Sequence, residues 1–130
     1  MAVGTIHMSS ILFVSHDGDL RAVARRALER AGCRVTVAAH GGHASLACAA
    51  GDAFDVLVIE SEMPEGPGAA IAGRLRRYFP DLPIVRMCEA GTEAAGDGIA
   101  VVRPFTADDL MDAVVRAASE KAAAGTQAGR

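Results

Sequence analysis

Side chains that could bind or react follow four of the short apolar runs in this 130-residue chain. Ser15 and His16 follow the first run, Glu60 the third, Cys88 the fourth and Arg103 the fifth. Because ligands of open parallel sheets bind beyond the carboxyl ends of the strands, these side chains are predicted to converge there. A carboxylate pairs well with a planar guanidinium. The sequence therefore predicts one polar site that contains an ion pair between Glu60 and Arg103.

The elements that must position this site alternate between strands and helices. Apolar runs predict five strands, at residues 11–14, 34–38, 56–59, 84–87 and 99–102. Helical periodicity predicts four helices, near residues 18–31, 43–50, 69–78 and 106–120. Asp17 is the predicted cap of the first helix, and Thr106 with Asp109 resembles a capping box for the last. The predicted fold class is α/β, with a doubly wound five-stranded parallel sheet.

Two connections are predicted to lack a full helix. Residues 60–68 are rich in proline and glycine and are predicted to form a loop. Residues 88–98 contain three glycines among eleven residues, which leaves room for one helical turn at most. Residues 1–10 are predicted to be a flexible leader, residues 11–120 the folded domain and residues 121–130 a frayed tail.

The composition is typical of a globular protein, with 51% apolar and 22% charged residues. A formal net charge of -3 gives no diffuse positive field, so nucleic acid is not an expected partner. No apolar run approaches the roughly 20 residues of a membrane span, so no membrane partner is expected. The three cysteines include no CxxC pair, which favours a reducing cytoplasm over a disulfide framework or a zinc knuckle.

Four segments in order resemble the response regulator receiver family of bacterial two-component signalling, across about residues 10–120. They are Ile11-Leu12-Phe13-Val14, residues 55–64, Asp81-Leu82-Pro83-Ile84 and Val102-Arg103-Pro104-Phe105. The resemblance implies the strand order 2-1-3-4-5 and a role in phosphorylation-gated protein contact. It also implies a fourth helix, which residues 88–98 are too short and glycine-rich to form in full.

The functional positions depart from the family pattern. The family holds Mg²⁺ with an acidic pair after the first strand, where this chain has Ser15 and His16. The position of the phosphate-accepting aspartate holds Glu60, whose extra methylene moves its oxygens by on the order of an ångström. The remaining departures replace the threonine or serine, the switching aromatic and the lysine, by Cys88, Val101 and Arg103 respectively. We therefore expect an atypical receiver that is not efficiently phosphorylated.

The expected function is that of a stand-alone, non-enzymatic signalling protein in a phosphorelay, which acts by phosphorylation-independent contact and needs no cofactor. The expected partner is a histidine kinase, a phosphotransfer protein or another signalling protein. The resemblance places Arg21 and Arg25 on the helix that docks on the kinase. Met111 and Val115 lie beside the core stripe of the last helix, where they would form a partner face or a homodimer contact.

Three alternatives remain open from the residues alone. Glu60 or Asp17 could accept a phosphoryl group with another metal arrangement. His16 could join Glu60 and Glu62 in a transition-metal site, because imidazole and carboxylates suit Zn²⁺ or Mn²⁺. A redox or metal sensor could be built on the cysteines and His16. Adjacent residues at one strand end point in different directions, so Ser15, His16 and Asp17 are not expected to form a hydrolytic triad.

Overall fold

A computed structural model describes residues 9–93 and 96–128, with side chains described up to residue 121. Its seven strands are β1 (Ser10–Val14), β2 (Arg34–Ala38), β3 (Val56–Glu60), β4 (Glu62–Met63), β5 (Gly66–Pro67), β6 (Ile84–Cys88) and β7 (Ile99–Val102). Five of them form one parallel sheet in the order β2-β1-β3-β6-β7. The predicted fold class and strand order are confirmed, because β6 and β7 are the fourth and fifth strands of that sheet.

The four helices are α1 (Gly18–Arg30), α2 (Gly41–Ala49), α3 (Gly68–Leu75) and α4 (Ala107–Ala128). They cover both faces of the sheet, and two apolar clusters result. Ile11 and Phe13 of β1 pack in the cluster that includes α1 and α4. Leu12 and Val14 pack in the cluster that includes α2 and α3. The alternation follows from the two-residue period of a strand, and it explains why central strands are apolar throughout.

Local capping accounts for where the helices begin. Asp17 caps α1 as predicted, since its side chain accepts hydrogen bonds from the backbone N–H groups of Asp19 and Leu20. The predicted capping box of the last helix is also present, because Thr106 and Asp109 exchange side-chain to backbone bonds of 2.9 and 3.1 Å. The α2 helix begins at Gly41, earlier than predicted, because the His40 ring accepts a bond from the backbone N–H of His43.

Several predicted boundaries differ from the structure. The segment 60–68 is not wholly a loop, because β4 and β5 pair there as a short antiparallel hairpin. The α3 helix ends at Leu75, before the predicted end, and α4 continues to Ala128 past the predicted end near residue 120. Ser10 is the first residue of β1, whereas residues 1–8 of the predicted leader lie outside the described residues.

Between β6 and β7, the described residues 89–93 and 96–98 contain no helix, as predicted. None of the described helices is long and apolar enough to span a membrane.

Candidate functional site

Glu60 is the last residue of β3 and lies at the carboxyl edge of the sheet, where it is 5% exposed. Its Oε2 atom accepts hydrogen bonds from the Ser15 hydroxyl at 2.5 Å and from the His16 backbone N–H at 3.1 Å. The His16 ring Nδ1 also lies 2.9 Å from Oε2, and Nη2 of Arg103 lies 2.5 Å from Oε1. The predicted convergence of these residues is therefore present, with Glu60 at its centre.

The turn between β1 and α1 holds the donors of this network. Ser15 is fully buried, and its hydroxyl donates to Glu60 while accepting a 3.0 Å bond from the backbone N–H of Asp17. Arg21 on α1 donates from Nη1 to the backbone oxygen of Ser15 at 2.7 Å. The Asp17 carboxylate faces its own helix as the N-cap. These bonds fix the turn, and two of its donors, the Ser15 hydroxyl and the His16 backbone N–H, bond the Glu60 carboxylate.

Arg103 reaches Glu60 from the opposite side of the site. Its backbone N–H donates to the Cys88 oxygen at 2.9 Å, which ties the residue after β7 to the end of β6. Its guanidinium contacts Glu60 through Nη2 and the exposed Glu89 through Nε at 3.3 Å, and it lies 6.0 Å from the centre of the Phe105 ring. One guanidinium therefore bridges a buried and an exposed carboxylate, a geometry that its planar fork of donors allows.

Cys88 and Val101 lie beneath this network on neighbouring strands. Both are buried, and the Cys88 thiol lies 3.7 Å from the backbone oxygen of Val101. The Cys88 thiol is thus directed at strand β7, and the side chain of Val101 packs in the apolar cluster beside α4. Neither side chain supplies a strong hydrogen-bond donor to the cleft.

A cleft of about 380 Å³ opens beside the ion pair. Glu60, Glu62, Cys88, Glu89 and Arg103 are among its lining residues. Within residues 9–93 and 96–128, no group of three or more His, Cys, Asp or Glu side chains is arranged to hold a metal ion. The alternative metal site of His16, Glu60 and Glu62 is therefore not formed. The Glu60 carboxylate forms part of the cleft wall, but it already accepts hydrogen bonds from three donor groups.

The sequence-predicted contact residues lie away from this cleft, on two helices. Arg21 is only half-exposed because it is turned toward Ser15, whereas Arg25 is exposed and pairs with Glu29 at 3.1 Å. Met111 and Val115 on α4 are half-buried against the apolar cluster of that face. Arg21 is thus linked to Glu60 through Ser15, whereas Arg25, Met111 and Val115 have no contact with that network.

Sequence reasoning missed two residues with buried polar atoms, Arg86 and Ser61, of which Arg86 is buried as a whole and Ser61 is half-buried. Arg86 lies within residues 84–87, for which the sequence predicts only an apolar strand, and it is 5% exposed. A charged side chain inside an apolar run was the signal that could have marked it.

The chain is similar in sequence to proteins of known family. The sequence profile of the response regulator receiver domain matches residues 11–115. The chain is 32% identical over 115 residues to the response regulator protein FleR of Pseudomonas aeruginosa. That aligned region covers 83% of this chain and 24% of FleR. It is 32% identical over 127 residues to the transcriptional regulatory protein TcrA of Mycobacterium tuberculosis. That aligned region covers 92% of this chain and 49% of TcrA. The chain thus spans less than half the length of these two relatives.

The solved structure of a response regulator receiver protein from Sinorhizobium medicae superposes with a TM-score of 0.77 and 28% identity. The superposition covers 88% of this chain and 97% of that one. The similarity therefore extends over most of this chain.

Proposed function

This chain belongs to the response regulator receiver domain family of two-component signalling, and we propose that it acts through protein contact without accepting a phosphoryl group. The observation that carries the proposal is the state of Glu60, at the position of the family's phosphate-accepting aspartate. Its carboxylate is bonded by Ser15, His16 and Arg103, so the group that would have to attack phosphorus is already engaged.

The bonds to Glu60 oppose phosphoryl transfer directly. An ionised carboxylate offers about four acceptor sites on two oxygens, and three donor groups already bond this one. An attacking oxygen would have to lose one of these bonds and align with the leaving group. Glu60 is also longer than aspartate by one methylene, so the alignment of a shorter side chain is not reproduced. These contacts favour a carboxylate that serves as a structural anion.

The side chains beside Glu60 also do not fit the Mg²⁺ ion that the family uses. Mg²⁺ prefers carboxylates and waters in octahedral geometry. The residues at the acidic-pair positions are a neutral hydroxyl and an imidazole, and both are directed at Glu60. The nearest acidic residue on that turn, Asp17, uses its carboxylate to cap α1. We therefore assign no role to Mg²⁺ in this chain.

The proposal extends to the response of the fold. Receivers of the family couple phosphorylation to a hydroxyl after the fourth sheet strand and to an aromatic residue on the fifth. Here those positions are Cys88 and Val101, both buried and without a polar contact to the cleft. The ion pair of Glu60 with Arg103 holds the ends of β3 and β7 in one arrangement. Partners would then recognise a single constant surface.

Partner contact is proposed through α1 and α4. Arg25 on α1 is exposed and lies one turn from Arg21, so the two arginines contribute positive charge to one side of this helix. On α4, the half-buried Met111 and Val115 continue the apolar cluster toward the surface. A histidine kinase or another two-component signalling protein is the proposed partner, and homodimerisation through α4 is the alternative use of that face.

The test is incubation with acetyl phosphate and Mg²⁺ followed by intact mass measurement. We expect no gain of a phosphoryl group by the wild-type chain. The positive control restores the family residues through Ser15→Asp, His16→Asp, Glu60→Asp, Cys88→Thr and Arg103→Lys, and this variant is expected to gain one group. A stoichiometric gain by the wild type that Glu60→Gln abolishes would contradict the proposal. So would a gain that Asp17→Asn abolishes.

A further inference from the structure

A second cleft, of about 150 Å³, lies between α3 and β6 on the face of the sheet opposite to α1 and α4. It adjoins the first cleft at the end of β3, where Glu60 and Ser61 line both. Small residues of α3 line one side of it, and Ile59 and Ile84 are among its other lining residues. The lining residues on α3 are Gly68, Ala69, Ala72 and Gly73. Space remains there because none of these α3 side chains exceeds a methyl group.

Arg86 contributes a fixed positive charge to this cleft. It is 5% exposed and lies on β6 between Val85 and Met87, which belong to the cluster on the other face. Its guanidinium donates to the backbone oxygen of Asp97 at 2.6 Å and to that of Glu93 at 2.7 Å. These bonds hold the plane of the guanidinium but supply no negative charge. Its Nη1 atom is buried and has no hydrogen-bond partner among the described residues.

The charge of Arg86 is not balanced by the carboxylate beside it. The Asp97 side chain is 81% exposed and pairs at 3.5 Å with Arg76, another residue that lines the cleft. A buried guanidinium without a counter-charge is costly, and the cost falls when an anion is bound next to it. Two carboxylates line the cleft, but Glu60 is paired with Arg103 and Asp97 with Arg76, so neither is paired with Arg86.

Ser61 supplies a second donor at the same place. Its hydroxyl is buried and has no hydrogen-bond partner among the described residues, like Nη1 of Arg86. Ser61 follows Glu60 at the end of β3, and its backbone is held by bonds to Met87 and Gly68 of 2.9 and 2.8 Å. Buried polar atoms are nearly always satisfied, so two unsatisfied donors on one cleft indicate a ligand that accepts hydrogen bonds.

We propose that the cleft between α3 and β6 binds a small oxyanion, a phosphate or a carboxylate, through the Ser61 hydroxyl and the Arg86 guanidinium. A water molecule occupies about 30 Å³ in the liquid, so 150 Å³ accommodates a small oxyanion together with a water. Water alone would satisfy both donors but would leave the guanidinium charge uncompensated. An oxyanion does both.

The site is tested by titrating the ¹⁵N-labelled chain with inorganic phosphate, and separately with acetate, at constant ionic strength. We expect saturable amide shifts around Ser61 and the first turns of α3. Ser61→Ala is expected to weaken binding by roughly fivefold, as loss of one neutral hydrogen bond does. Arg86→Met is expected to weaken it by roughly tenfold or more, because a charge-assisted bond is lost. The exposed Arg77→Met serves as the matched control and is expected to bind as the wild type does.

Ser61→Ala keeps the test decisive even if Arg86→Met disturbs the connection between β6 and β7. Tighter binding of phosphate or of acetate identifies which oxyanion the site prefers, and either result supports the proposal when Ser61→Ala weakens it. The proposal is overturned if neither anion binds saturably, which would leave water as the occupant. It is also overturned if Ser61→Ala binds as the wild type does, or if only Arg103→Met weakens binding, since the anion would then lie in the first cleft.

Discussion

Replacement of Arg103 by Met removes the contact between Glu60 and its guanidinium while keeping a side chain of similar length. The lost hydrogen bond joins Nη2 to Oε1 at 2.5 Å, and the two side chains are 30% and 7% exposed. A hydrogen bond to a charged group contributes about 1.5–3 kcal/mol to the free energy of unfolding. Removing one partner of a fully buried ion pair lowers it by about 3–5 kcal/mol. Because Arg103 is partly exposed and Ser15 and His16 still bond Glu60, we expect a loss of about 2 kcal/mol.

A double-mutant cycle separates this contact from the others that Arg103 makes. Its bond to Glu89 involves a side chain that is 73% exposed, so it contributes at most about 0.5 kcal/mol. Combining Arg103→Met with Glu60→Gln is expected to give a coupling free energy of about 1.5–2 kcal/mol. Urea unfolding of the four proteins at neutral pH measures it, with equal m-values as the check on two-state behaviour.

The matched control for the cycle is the exposed pair of Arg25 and Glu29 on α1. Arg25→Met is expected to change the free energy of unfolding by less than about 0.5 kcal/mol. A coupling free energy between Glu60 and Arg103 that is no larger than this control effect would refute the view that the pair fixes the site.

Three further predictions concern other parts of the fold. Gly68→Ala should destabilise the chain by about 1–3 kcal/mol, because the added Cβ would collide with the backbone oxygen at the end of β3. Gly73→Ala, whose Cβ meets nothing within 4 Å, should instead stabilise α3 by about 0.5–1 kcal/mol, and urea unfolding distinguishes the two. The hydrogen bond from the Gly41 backbone lowers the pKa of Glu65 below 4.5. The stability difference between wild type and Glu65→Gln should therefore be complete at neutral pH, shrink as pH falls below about 4.5 and vanish below the lowered pKa, as urea unfolding against pH would show. Burial raises the pKa of the Cys48 thiol, so a thiol-reactive dye should label it slowly in the folded protein at pH 7 and rapidly in denaturant.

The sheet could be predicted from sequence because a strand buried on both faces is apolar along its length. Residues 56–59 have no other plausible structure between their turn signals, and they form β3 in the centre of the sheet. Boundaries that depend on single unusual bonds could not be predicted. The cap of α2 is an imidazole, which is outside the usual set of capping side chains. The hairpin of β4 and β5 has only two residues on each strand, and its prolines and glycines also indicate a loop.

The ion pair of Glu60 and Arg103 could be predicted because both residues directly follow strands of one parallel sheet. The donors on the other side could not, because the direction of Ser15 and His16 depends on how the turn before α1 closes. Arg86 was missed for a related reason. Its partners are backbone oxygens in the connection to β7, and a backbone oxygen leaves no signal in the sequence.

The most direct measurement of the central claim is a ¹H–¹⁵N spectrum of the chain titrated with Mg²⁺ and then with the phosphoryl analogue beryllofluoride. If donors already hold Glu60 and no acidic pair lies beside it, the amide resonances of Ser15, His16, Cys88 and Arg103 should keep their positions throughout. Saturable movement of these four resonances would show that the cleft takes up both the cation and the analogue, and it would contradict the assignment of Glu60 as a structural anion.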